Sequence, residues 1–224
     1  MEQQTSTSLP VELSSQLVAI MTTEHYNLQT GRSMTISEAN GRSSLFVGAV
    51  SSGLVALAFV GQLAHLGRAF FVFSLIVLPT LFLMGLITFE RVVQAGTVDM
   101  LYARGINRIR HLYLEYAPHM QPYIILSAHD DREGTLGREA MHTSWVQIFL
   151  TAASMIAVIN SVLVGSFAGL LCSVFTLPLW IGASVGVAVF LVSLGLHQRY
   201  QWKQGLRMER SLPVIFPSRD GKEQ

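Results

Sequence analysis

Two sets of residues in this chain are of types that do chemistry. One is a single amide. In IAVINSVLVGSFAGL, residues 156–170, Asn160 stands among aliphatic side chains with Ser161 beside it. An amide offers two donors and an acceptor, and a polar group left unpaired away from water costs a few kcal/mol, so Asn160 must find partners. Two arrangements satisfy it: a hydrogen bond to a neighbouring helix, or a ring of such amides from several subunits around a water-filled pore. The other set is titratable and comprises His111, His119, His129, Asp130, Asp131, Glu139 and His142. An adjacent His129–Asp130 pair suits a hydrolytic metal, but that chemistry needs further His and Asp ligands from a larger helical domain. No metal, cofactor or catalytic residue is therefore expected.

The nearby basic residues point elsewhere. Arg104, Arg108 and His111 follow each other at i+4 and i+3 spacing, with Glu115 one turn on. The plain reading is the polar face of an amphipathic helix whose apolar stripe is Ile106, Ile109, Leu112, Tyr113 and Tyr116. The sharper one is a site for an anionic ligand, either a lipid headgroup or a phosphate, because arginines close to a membrane attract acidic groups. The chain has no GxxxxGK[ST], GxSxG or GxGxxG sequence, so the reading is not an enzyme, and nothing suggests nucleic acid.

The elements that position these residues follow from composition. Half of the 224 residues are hydrophobic and 13% are charged. No Asp, Glu, Lys or Arg occurs in 43–67, 69–89 or 140–198. A spanning helix takes about 20 apolar residues. The chain is thus expected to be all-α, with four transmembrane helices near 44–64, 69–89, 146–171 and 176–196. They form two hairpins, the second turning between Ser173 and Pro178. The organisation reads as an N-terminal tail and amphipathic helix (1–43), hairpin 1 (44–89), a helical segment (90–144), hairpin 2 (145–197) and a C-terminal tail (198–224). Whether the helix that starts after Val11 continues through Gly31 to Asn40 into the first span stays open. So does YIILSA (123–128), which suits a strand or a turn of buried helix. A faint repeat at an offset of 101 aligns Glu38, Ala39 and Ser43 with Glu139, Ala140 and Ser144.

Helix packing is written in small residues. Ala153, Ala157, Ser161, Gly165 and Gly169 make one i+4 ridge on the third span, Gly182 and Gly186 answer on the fourth, and Gly48 with Ser52 and Ala49 with Gly53 mark the first. Such ridges let backbones approach closely in lipid, inside a protomer or between protomers. No cleavable signal peptide is visible, and Cys172 is the only cysteine, so no intrachain disulfide forms. Arginine and lysine cluster before the first span, in the middle segment and after the fourth, with Arg68 alone in a hairpin turn; both termini are then cytoplasmic.

YNLQTGRSMTISEANGRSSLFVGAVSSGLVALAFVGQ (26–62), NRIRHLYLEYAP and the span around Asn160 resemble a group of small bacterial four-helix integral membrane proteins. The resemblance implies the bacterial inner membrane and brings no substrate or ligand with it. A looser, architectural likeness is to small helical membrane effectors of bacterial defence systems. The expected function is a homo-oligomeric ion channel or pore gated through its cytoplasmic helices. The alternative is a non-conducting adaptor that presents those helices to a partner protein.

Overall fold

The computed structural model describes residues 15–137, 151–175 and 177–218. Of these, 87% are helical and none lies in a strand. Glu139, Ala140, His142, Ser144 and Trp145, and with them one side of the repeat, lie outside the described residues.

Two 49-residue helices, α1 (Ser15–Leu63) and α2 (Arg68–Tyr116), come first. A short 3-10 turn, Pro118–Tyr123, and a one-turn helix, α3 (Arg132–Leu136), follow. The last two are α4 (Ala152–Val174) and α5 (Leu179–Ser211). α1, α2, α4 and α5 are each long and apolar enough to cross a membrane. The question left open at Gly31 has an answer: α1 runs unbroken from Ser15 through Asn40 to Leu63. Pro79 lies inside α2, a position tolerated in apolar helices because neighbours and local hydroxyls re-satisfy the backbone. Pro118 ends α2, since proline disfavours helical geometry in the residue before it. Pro178 stands immediately before α5. The segment after 198, read from sequence as a tail, continues as helix to Ser211.

The chain divides into two compact units. The first, the bundle unit, comprises Thr35–Val98 and Thr143–Pro213. The second, the latch unit, comprises Met1–Met34, Asp99–His142 and Val214–Gln224.

In the bundle unit all four long helices share one core. Phe46 and Val50 come from α1, Leu78, Leu81, Phe89, Val92 and Val93 from α2, and Ala153, Ile156, Ala157 and Leu163 from α4, with Leu194 and Tyr200 of α5 against them. The small residues of α4 meet those of α5: a β-carbon on Gly165 would lie 2.7 Å from the Gly186 carbonyl, and one on Gly169 3.1 Å from that of Gly182. This crossing lies within the protomer. Gly53 packs on Leu81, whereas Gly48 faces open space, so among the described residues nothing packs on the first-span pair Gly48 and Ser52. The turn between α1 and α2 holds His65 and Leu66 at φ 46° and 55°.

In the latch unit α1 and α2 pack through glycine as well. Gly31 lies against the Tyr102 ring and Gly105 against Leu28, while Arg32 pairs with Asp99 at 2.7 Å. In YIILSA, Tyr123 closes the 3-10 turn and 124–128 form neither of the two elements considered: 124–131 is irregular, and Ile125 is 95% exposed.

Candidate functional site

Asn160 is completely enclosed in the bundle unit. Its amide nitrogen lies 3.4 Å from His197 Nε2 on α5. His197 Nδ1 is 2.8 Å from the Ser193 carbonyl, which can only accept, so the hydrogen sits on Nδ1 and the bare Nε2 accepts from Asn160. Phe89 of α2 closes over His197 edge-on at 4.7 Å. Asn160 Oδ1 has no hydrogen-bond partner among the described residues and occupies the space where a β-carbon of Gly85 would stand. Ser161 donates to the Ala157 carbonyl at 2.7 Å and lies 3.0 Å from the Ser193 hydroxyl. Two turns nearer the start of α4, Ser154 takes a hydrogen bond from Gln198 at 3.3 Å and donates to Gln201 at 3.2 Å, and Gln201 reaches Thr151 at 3.1 Å. A polar seam thus joins α4 to α5 from Thr151 to Ser161. Ala153 and Ala157 lie in the shared core.

The latch unit holds the second polar centre. Asp130 is completely buried, and its carboxylate accepts from the Phe216 amide at 2.7 Å, the Ile215 amide at 3.1 Å and Arg108 Nε at 2.7 Å. The Asp130 amide returns a bond to the Phe216 carbonyl at 3.1 Å. Asp131 caps α3 through the Gly134 amide and also accepts from the amide and hydroxyl of Ser218 at 2.7 and 2.5 Å. Asn107 donates to the carbonyls of His129 and Gly134, and the His111 ring stacks on Phe216 at 3.9 Å. Gly134 has to be glycine, because a β-carbon would collide with the His129 carbonyl. Burial pushes the Asp130 carboxyl up, but the two amides and the Arg108 guanidinium outweigh it and hold the group below its ordinary 3.8. For Asp131 burial again opposes, and the bonds from Ser218 and Gly134 prevail.

The residues proposed from sequence for an anion fall around this latch. Arg104 is buried, Arg108 is paired with Asp130, and His111 lies between Phe216 and Glu115, at 3.5 Å from the latter. Sequence reasoning missed Gly85 and His197 as neighbours of Asn160, Ser193 as the partner of Ser161 and His197, and Asn107 and 215–218 as partners of the His129–Asp131 turn. A signal existed for His197: it is the one titratable side chain in the otherwise uncharged run 140–198 that falls on α5. None existed for the tail, whose role rests on main-chain amides.

Comparison with protein families, with curated proteins and with solved structures gave no match.

Proposed function

We propose that this chain is a non-conducting, multi-pass membrane adaptor. Its four long helices form a closed bundle in the bilayer, and its latch unit presents an apolar surface to a partner protein. The observation that carries this reading is the enclosure of Asn160: the amide on which a pore would depend is bonded to His197 inside one protomer and reaches no outer face. The small-residue ridge is likewise occupied within the protomer by Gly182 and Gly186. Tyr116, Met120, Tyr123, Ile125 and Leu126 are exposed from the end of α2 through the 3-10 turn into the irregular segment after it, as a partner surface requires. Beside them Val18, Met21, Leu112, Tyr113, Met120 and Ile124 line a pocket of about 270 Å³, sized for one or two apolar side chains. The distribution of arginine and lysine supports cytoplasmic termini. The likeness of 26–62 to small bacterial membrane proteins supports the bacterial inner membrane, and the unpacked Gly48–Ser52 face suits a homo-oligomer.

The channel reading keeps one observation in its favour, the polar seam from Thr151 to Ser161. Current recorded from purified protein in planar bilayers decides between them. Silence across salts and voltages, from protein shown to be folded, fits the adaptor. Discrete openings altered by Asn160→Leu overturn it.

A further inference from the structure

The bundle unit carries a cleft that the adaptor role does not use. It is open on one side, has a volume of about 770 Å³ and lies between α2 and α5 over a floor at Val164 of α4. Its walls are Phe82, Leu86 and Phe89 on one side and Val189, Val192 and Leu196 on the other, and the size is within the range of roughly 300–1,000 Å³ in which proteins take small ligands. On α5 the lining runs from Ala188 to Tyr200, about 18 Å at the helical rise, close to the roughly 15 Å depth of one bilayer leaflet.

One end of the cleft is polar. Glu90 stands there, bonded to the Gln94 amide at 2.7 Å and to the Tyr200 hydroxyl, which itself accepts from Gln204. Both partners of the carboxylate are neutral, and no lysine or arginine pairs with it among the described residues. The neighbouring Arg91 pairs with Glu38 at 2.9 Å and reaches the Gln94 amide oxygen at 3.2 Å, and Arg207 lies near Tyr200, so both cations stand beside the carboxylate's partners and not on it. An apolar trough one leaflet deep, with a carboxylate at its headgroup end that forms no ion pair among the described residues, is complementary to an amphiphile that has one acyl chain's length of hydrocarbon and a cationic donor.

We propose that the cleft is a binding site for an aminophospholipid of the surrounding bilayer, with an acyl chain along Val192 and Leu196 and the primary ammonium on Glu90. This rests on the membrane-spanning reading of the bundle. Phosphatidylethanolamine meets both requirements, phosphatidylglycerol lacks the cation, and phosphatidylcholine has the charge but no N–H to donate.

The test is native mass spectrometry of the full chain in detergent, with each of these three lipids added in turn at equal concentration. The expected result is phosphatidylethanolamine retained about fivefold over phosphatidylglycerol, the ratio one partly exposed ion pair sustains. Glu90→Gln should remove that preference, and Val192→Trp, which fills the trough, should lower retention of all three lipids, with far-UV circular dichroism unchanged in both. Equal retention of the three lipids by the native protein overturns the proposal, as does a preference that survives Glu90→Gln. The membrane reading is tested separately: protein that fails to float with liposomes on a density gradient refutes it, whereas floating protein without lipid preference refutes only the site.

Discussion

Asn160 and Gly85 form a pair whose two members limit each other. The amide oxygen fills the space a methyl group would need, so Gly85→Ala should cost about 1–3 kcal/mol, the range for overpacking a tight core. Asn160→Ala should cost stability too, because His197 loses its donor. The double substitution should cost less than the sum, and a double-mutant cycle of melting temperatures in detergent checks the sign; strict additivity would mean that the two residues do not touch. At Asp130 the prediction concerns charge. Asp130→Asn removes the ionised acceptor from two amides and Arg108, and should loosen 214–218 by about 2–3 kcal/mol, read as faster hydrogen exchange at Ile215 and Phe216. The pH dependence has a definite direction. A carboxyl whose folded value is lowered stabilises fully above its ordinary value and loses that contribution as pH falls through the folded value. Protection of those amides should therefore hold above pH 3.8 and fall only below it. Asn160 was legible in the sequence as a residue that needs a partner. Its contact with Gly85 was not, because glycine carries no side-chain signal, and neither were the main-chain amides that bond Asp130.

The four long helices were legible because uncharged runs of that length leave few alternatives, and the α4–α5 crossing because small residues recur at i+4. What 3.6-residue periodicity does not encode is which neighbour a ridge meets. Gly165 and Gly48 look alike in sequence, yet one touches Gly186 and the other nothing. The same contrast gives a prediction. Gly165→Leu should lower stability by about 1–3 kcal/mol or more through collision with the Gly186 carbonyl and Phe190, whereas Gly195→Leu, with open space around it, should be neutral or slightly stabilising. YIIL escaped assignment because four apolar residues suit a strand, a helix or an exposed surface equally well, and only the proline pair before it and the Asp130 latch after it hold it irregular. In the α1–α2 turn, His65 carries a left-handed backbone without glycine, which costs about 1 kcal/mol, so His65→Gly should raise the melting temperature.

For the whole molecule, the deciding property is which residues lie on which side of a membrane. Arginine and lysine are sparse in both hairpin turns and dense elsewhere, so Gly67 should face outward and Gln121 inward. Cys172 is the only native thiol, half-buried near the end of α4, and Cys172→Ser supplies a background without cysteine. In that background, Gly67→Cys should react with a membrane-impermeant maleimide on intact cells, and Gln121→Cys only after the membrane is opened. Gln121 is exposed in the latch unit, so a failure to label it in intact cells reports the barrier and not burial of the residue. Labelling of both sites from outside would mean that α2 does not cross the membrane between them, whereas labelling of Gln121 alone would invert the topology and place the latch unit on the outer face. Either result would leave the Asn160 and Asp130 predictions standing, because those depend on contacts within one unit each.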